Sequence, residues 1–157
     1  MSGGVPAEPA RLCLLGSLPR AHASRPPRVR FVGRVAGLLP EAALAVLVDS
    51  EPTRSLAQTS SSSSSAVLID LTLPVLQGGR APPRLKDRIM ITGEVTRLQV
   101  PIAAVPELQV TLPAPVTTPL DLRTVITVEQ FEACEDLDME QWRAAIRAVD
   151  AVRRNDA

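Results

Sequence analysis

Apolar and polar residues alternate in the stretch RVRFVGRV, with Val29, Phe31 and Val35 on one face and Arg28, Arg30 and Arg34 on the other. Alternation of period two marks a half-buried strand. Gly33 falls on the apolar face, where a side chain is expected to fill the core. A glycine there marks a bulge, a sharp coil or a close backbone approach. The order returns in IMITGEV, where Gly93 follows Ile89 and Ile91 as Gly33 follows Val29 and Phe31. Two strands bent at matching points predict a small sheet that curls onto itself.

The same periodicity predicts five strands. They span 28–37; 42–48, with Leu44, Val46 and Val48 on one face; 66–72, with Val67, Ile69 and Leu71 on one face; 88–98; and 107–112, where Leu108 and Val110 alternate. Residues 38–41 read as a hairpin connection. Residues 49–65 end in an unbroken serine run and read as a flexible loop. Gly78-Gly79 and Pro82-Pro83 make 74–87 a connector. Residues 1–10, rich in Gly, Pro and Ala, read as a disordered tail.

After residue 123 the period changes. Thr127–Gln130 and Asp138–Gln141 both match the capping box, an N-cap oxygen followed three residues on by Glu or Gln. Trp142, Ile146 and Val149 then recur at helical spacing, and basic residues crowd the last turn, where the helix dipole favours them. The plan is therefore a tail (1–10), a β-domain (11–123) and a C-terminal helical segment (124–157). It predicts a mainly β fold, a five-stranded Greek-key barrel with a C-terminal α-helix. The oligonucleotide/oligosaccharide-binding (OB) fold is the best-known barrel of this class. Pattern alone also allows an SH3-like barrel.

Composition narrows the chemistry. The chain of 157 residues fits one domain, and 17 basic against 17 acidic side chains leave no net charge that demands nucleic acid. Lys86 is the only lysine, so the positive charge is nearly all arginine. Three aromatic residues, Phe31, Phe131 and Trp142, make a poor platform for stacking bases. Cys13 and Cys134 are too far apart in the sequence to suggest a disulfide framework, and His22, the only histidine, has no metal-ligand spacing around it. No phosphate-binding glycine loop or GxSxG motif is present. Glu132, Glu135, Asp136 and Asp138 gather where a helix start favours acids anyway. The chain thus reads as a non-enzyme with no cofactor or metal. No apolar run approaches the roughly 20 residues of a membrane span. Several arginines in the first thirty residues leave mitochondrial targeting open.

LGSLP at 15–19, VRFVGRV at 29–35, AVLIDLTL at 66–73, DRIMITGEV at 87–95 and PLDL at 119–122 together resemble the fungal-type Ten subunit, the smallest of the CST telomere-capping complex. The resemblance spans most of 11–123. It implies an OB-fold subunit without enzymatic activity, located at telomeres in the nucleus. Such a subunit pairs with the Stn-type subunit, joins the larger CST subunit and gives weak or assisted contact to single-stranded telomeric DNA. The phosphate-contacting candidates are Arg28, Arg30 and Arg34 on the polar face of the first strand, and Arg84, Lys86 and Arg88 ahead of and within the fourth. Small OB pairs of this kind dock through a C-terminal helix, which makes Trp142, Ile146 and Val149 the partner-binding candidates. Two alternatives stand beside this reading: a small OB subunit of a replication protein A-like complex, and an accessory barrel with no DNA role.

Overall fold

The two glycine-bearing stretches lie side by side. The computed structural model describes residues 8–21, 25–52, 62–112, 116 and 119–156. Its strands are β1 (Arg11–Leu12), β2 (Arg28–Leu39), β3 (Leu44–Pro52), β4 (Ser62–Asp70), β5 (Arg88–Arg97) and β6 (Thr124–Ala133), and its helix is α1 (Met139–Asn155). β2 is long enough to serve two neighbours. From Arg28 to Arg34 it pairs antiparallel with β5, placing Val29 opposite Gly93 and Gly33 opposite Ile89. From Arg34 to Leu39 it pairs antiparallel with β3, with a register shift between Val35 and Gly37. β3 pairs with β4, β4 runs parallel to β6, and β6 pairs antiparallel with β5. Pairing therefore passes β2–β3–β4–β6–β5 and returns to β2. Short β1 lies parallel to β2 at Val29 and Arg30.

Inside this ring Val29, Phe31, Val35, Ala45, Leu47, Ile69, Ile89, Ile91, Ile126 and Val128 form the main core, with Leu15 and Cys13 closing one side. The apolar faces read for the 28–37, 66–72 and 88–98 strands are the ones that meet there. β3 differs. Its core-facing residues are Ala45 and Leu47, while Leu44, Val46 and Val48 point outward and are nonetheless buried. They pack under Leu98, Ile102, Val105, Val110, Leu112, Leu120 and Leu122, which belong to a strap between β5 and β6, described at 98–112 and 119–122. The strap is pinned where the Gln109 backbone N–H donates to the Ala36 carbonyl at 2.8 Å and its side-chain oxygen accepts from the Leu38 N–H at 3.0 Å.

Three expectations are corrected. The fifth long strand is Thr124–Ala133, and residues 107–112 belong to the strap. Leu108 and Val110 alternate, but prolines at 101, 106, 113 and 115 deny the segment a continuous ladder. Thr127–Gln130, read as a capping box, lies inside β6, where Thr127, Val128 and Gln130 pair with β5. The β-branched run Thr124–Val128 favours a pleated strand, so the sheet runs ten residues past 123 and the helix starts only at Met139. Within the serine run, Ser62–Ser65 open β4 and Ser64 is fully buried. The rest of the expected loop at 53–61, the tail at 1–7 and His22 lie outside the described residues.

Candidate functional site

The six predicted phosphate-contacting residues do not form one patch. Arg28 and Arg30 emerge from the polar face of β2, but β6 returns two carboxylates to them. Arg28 grips Glu129 with two nitrogens, Nη2 at 2.7 Å and Nε at 3.1 Å, and the hydrogen bond and charge of Glu129 raise its pKa further. Arg30 Nη2 donates to Glu132 at 2.9 Å. These two guanidiniums are matched charge for charge across the sheet.

Arg34 and Arg88 are held differently. Arg34 Nη1 donates to the Lys86 carbonyl at 2.5 Å, and Arg88 Nη1 donates to the carbonyls of Leu137 at 3.2 Å and Glu135 at 3.4 Å. A carbonyl orients a guanidinium without cancelling its charge. Lys86 has φ of 73°, a left-handed backbone that turns the chain from its loop into β5. Arg34, Lys86 and Arg88 thereby line one cleft, and Arg84 is exposed outside it. The cleft also draws in a pair that sequence reasoning missed: Arg143 of α1 and Asp49 of β3, 2.6 Å apart, with side chains only 14% and 8% exposed. The signal available in the sequence was weak, because Asp49 follows seven consecutive apolar residues and reads as the start of a loop.

α1 is built as its sequence predicts at the N-terminus. Asp138 Oδ1 accepts from the N–H groups of Glu140 and Gln141 at 3.0 and 3.2 Å, and Arg153 and Arg154 occupy the last turn. The stripe read as one surface divides. Ile146 is 2% exposed and anchors the helix to this chain's own body, aided by Arg143–Asp49 and by Arg11–Asp150 at 3.7 Å. Trp142 is half-buried, and Val149 and Val152 are 38% and 60% exposed. At i, i+7 and i+10 these three share one flank of the helix, with Ala145 between them.

No protein-family model matches the chain, and no curated protein matches it in sequence. Solved structures do match. A chain of the S. pombe Stn1–Ten1 complex is 11% identical, with 92% of this chain and 95% of that one covered and a TM-score of 0.52. The S. pombe telomere-capping protein Ten1 is 12% identical, with 91% and 99% covered and a TM-score of 0.51. A small single-stranded DNA-binding protein from Streptomyces coelicolor aligns over 73% of this chain, with 11% identity and a TM-score of 0.40. The fold is that of the OB proteins. In such barrels the face of the second and third strands, with the adjoining loops, is the usual oligonucleotide surface. Here those strands are β3 and β4, and the strap fills part of that face with apolar side chains.

Proposed function

We propose that this chain is a non-enzymatic OB-fold subunit of a telomere-capping complex in the nucleus. It pairs with a Stn-type subunit, joins a larger CST subunit, and assists the complex in holding single-stranded telomeric DNA during end protection and replication. The observation that carries this reading is the match to Ten1 over nearly the whole of both chains. The residue-level support is the exposed flank of α1. Trp142, Val149 and Val152 offer an apolar face at helical spacing, the form in which a helix enters a partner's groove. Ile146 keeps that face in place from beneath. Strap cover over β3 agrees with a subunit that assists a DNA-binding partner instead of gripping a strand across its own barrel.

Affinity purification of the full chain with identification of its partners tests the reading. A Stn-type subunit is expected. Trp142→Ala and the pair Val149→Asp/Val152→Asp are expected to lose it while the circular dichroism of the barrel stays unchanged. Recovery of a replication protein A middle subunit in its place would move the chain to that complex, and recovery of no DNA-maintenance protein would favour an accessory barrel.

A further inference from the structure

Arg34, Lys86, Arg88 and Arg143 surround one cleft of about 260 Å³, bounded by β2, the first turn of α1 and the strap at Val110 and Leu112. Asp49 is the one carboxylate among its described lining residues, and it is already engaged with Arg143. The lining therefore carries three more positive than negative charges. Three described carboxylates outside the lining accept from backbone N–H groups. Glu135 accepts from the Arg88 backbone N–H at 2.6 Å, Asp87 from the Arg84 N–H at 2.9 Å, and Asp138 caps α1.

Two features make this a prepared site and not a chance collection of surface arginines. Backbone carbonyls fix the guanidiniums of Arg34 and Arg88, so little side-chain entropy remains to be lost on binding. Val32, Val48 and Leu112 supply apolar walls, which strengthen any charge-assisted hydrogen bond made inside. Planar guanidiniums with fixed forks suit the tetrahedral oxygens of phosphate. The volume lies just below the roughly 300–1,000 Å³ of a whole-ligand pocket, so the cleft suits one group of a larger molecule.

We propose that this cleft binds one phosphate of a single-stranded nucleic acid, with Arg34 and Arg88 as the principal donors, Lys86 at the rim and Arg143 held in position by Asp49. The proposal rests on the nucleic-acid contact in the proposed function and locates it. Contact falls on the backbone and carries no base sequence. That fits a chain with three aromatic side chains, of which Phe31 is buried in the core and Phe131 lies under the Arg80 guanidinium, 4.5 Å from its ring centre.

The test uses the full chain, alone and with its Stn-type partner, and a labelled mixed-sequence DNA oligonucleotide read by fluorescence anisotropy across a salt series. Arg34→Gln/Lys86→Gln is expected to weaken binding at least about tenfold. It also lowers the slope of log affinity against log salt by about 0.7, the value of one single-strand phosphate contact. Arg97→Gln, at the exposed end of β5 and outside the cleft, changes affinity less than about twofold. Should the double variant not fold, Arg88→Lys is read instead: it keeps the charge, loses the fork and weakens binding several-fold. Inorganic phosphate is expected to shift the Arg34 and Arg88 side-chain NMR signals. Wild-type affinity and slope in folded cleft variants overturns the cleft as the site and leaves the telomeric reading intact. Phosphate binding without oligonucleotide binding overturns the assigned ligand. Absence of oligonucleotide binding in both the free chain and the complex overturns the nucleic-acid contact itself.

Discussion

Gly33 and Gly93 occupy equivalent places in the sequence pattern, yet an added methyl group meets different surroundings at each. At Gly93 an alanine Cβ would stand 2.3 Å from the Thr127 carbonyl oxygen, with the Thr127 carbonyl carbon at 3.0 Å and Val128 Cα at 3.1 Å. All three are backbone atoms of β6. That backbone is tied to β5 on one side, and to β4 through Asp70 opposite Thr127 on the other. Ordinary contact begins near 3.4 Å, so β6 has to retreat by the difference and strain both ladders. Overpacking alone costs about 1–3 kcal/mol. Weakening one or two ladder hydrogen bonds adds about 1 kcal/mol each. Gly93→Ala is therefore expected to cost about 2–5 kcal/mol, a large share of the roughly 5–15 kcal/mol that holds a typical domain together.

At Gly33 the nearest atom is the Leu15 Cδ1 at 2.9 Å, the far end of a rotatable side chain, with Leu47 Cβ at 3.1 Å. Repacking there is cheaper, and replacing glycine recovers about 0.4–1 kcal/mol through the unfolded state where the backbone allows it. Gly33→Ala is expected to lie within about 1.5 kcal/mol of the parent. Urea unfolding followed by circular dichroism and by the single tryptophan, Trp142, reads both variants. Equal costs for the two, or a neutral Gly93→Ala, would refute the claim that β5 and β6 close against each other at this glycine.

Three further outcomes are expected. Burial raises the Cys13 thiol to about 11 from its model-compound 9.0. Cys13 is buried and at pH 8 only about one thiol in a thousand is ionised, so it is expected to react with a thiol reagent far more slowly than an exposed cysteine. A raised folded-state pKa stabilises the protonated native form. That stability is complete below pH 9 and fades as pH rises toward 11, as pH-dependent urea titration of wild type against Cys13→Ala will show. Asp138→Ala removes the acceptor for two N–H groups of α1 and is expected to cost about 1 kcal/mol, seen as a lowered urea midpoint.

Much of the barrel was legible because its strands carry their own signal. Val29, Phe31, Ile89 and Ile91 alternate cleanly, and the glycines mark where strands approach closely. β6 was harder. Thr127 and Gln130 satisfy a helix-start pattern at the right spacing, and only pairing with two neighbours decides for a strand. The strap misled for a physical reason: Val110 and Leu112 alternate with polar residues to cover the outside of β3, a demand identical in period to that of a strand. Its signature lay instead in the run into and through β3, where apolar residues continue unbroken from Ala42 to Val48 and leave no face for water. The cleft was half visible. Arg34, Lys86 and Arg88 were found as basic residues, but their separation from Arg28 and Arg30 depends on where Glu129 and Glu132 land, which follows from the corrected β6. Arg143 joins them from more than fifty residues away in the chain, beyond the reach of any local pattern.

Hydrogen–deuterium exchange on the full chain, with and without a Stn-type subunit, tests the central claim most directly. The account predicts binding, with new protection concentrated in the α1 segment from Trp142 to Val152 and little change in the amides of β2 and β5, already bonded in the sheet. Binding that protects the barrel strands and leaves α1 exchanging as in the free chain would contradict it, and so would the absence of binding.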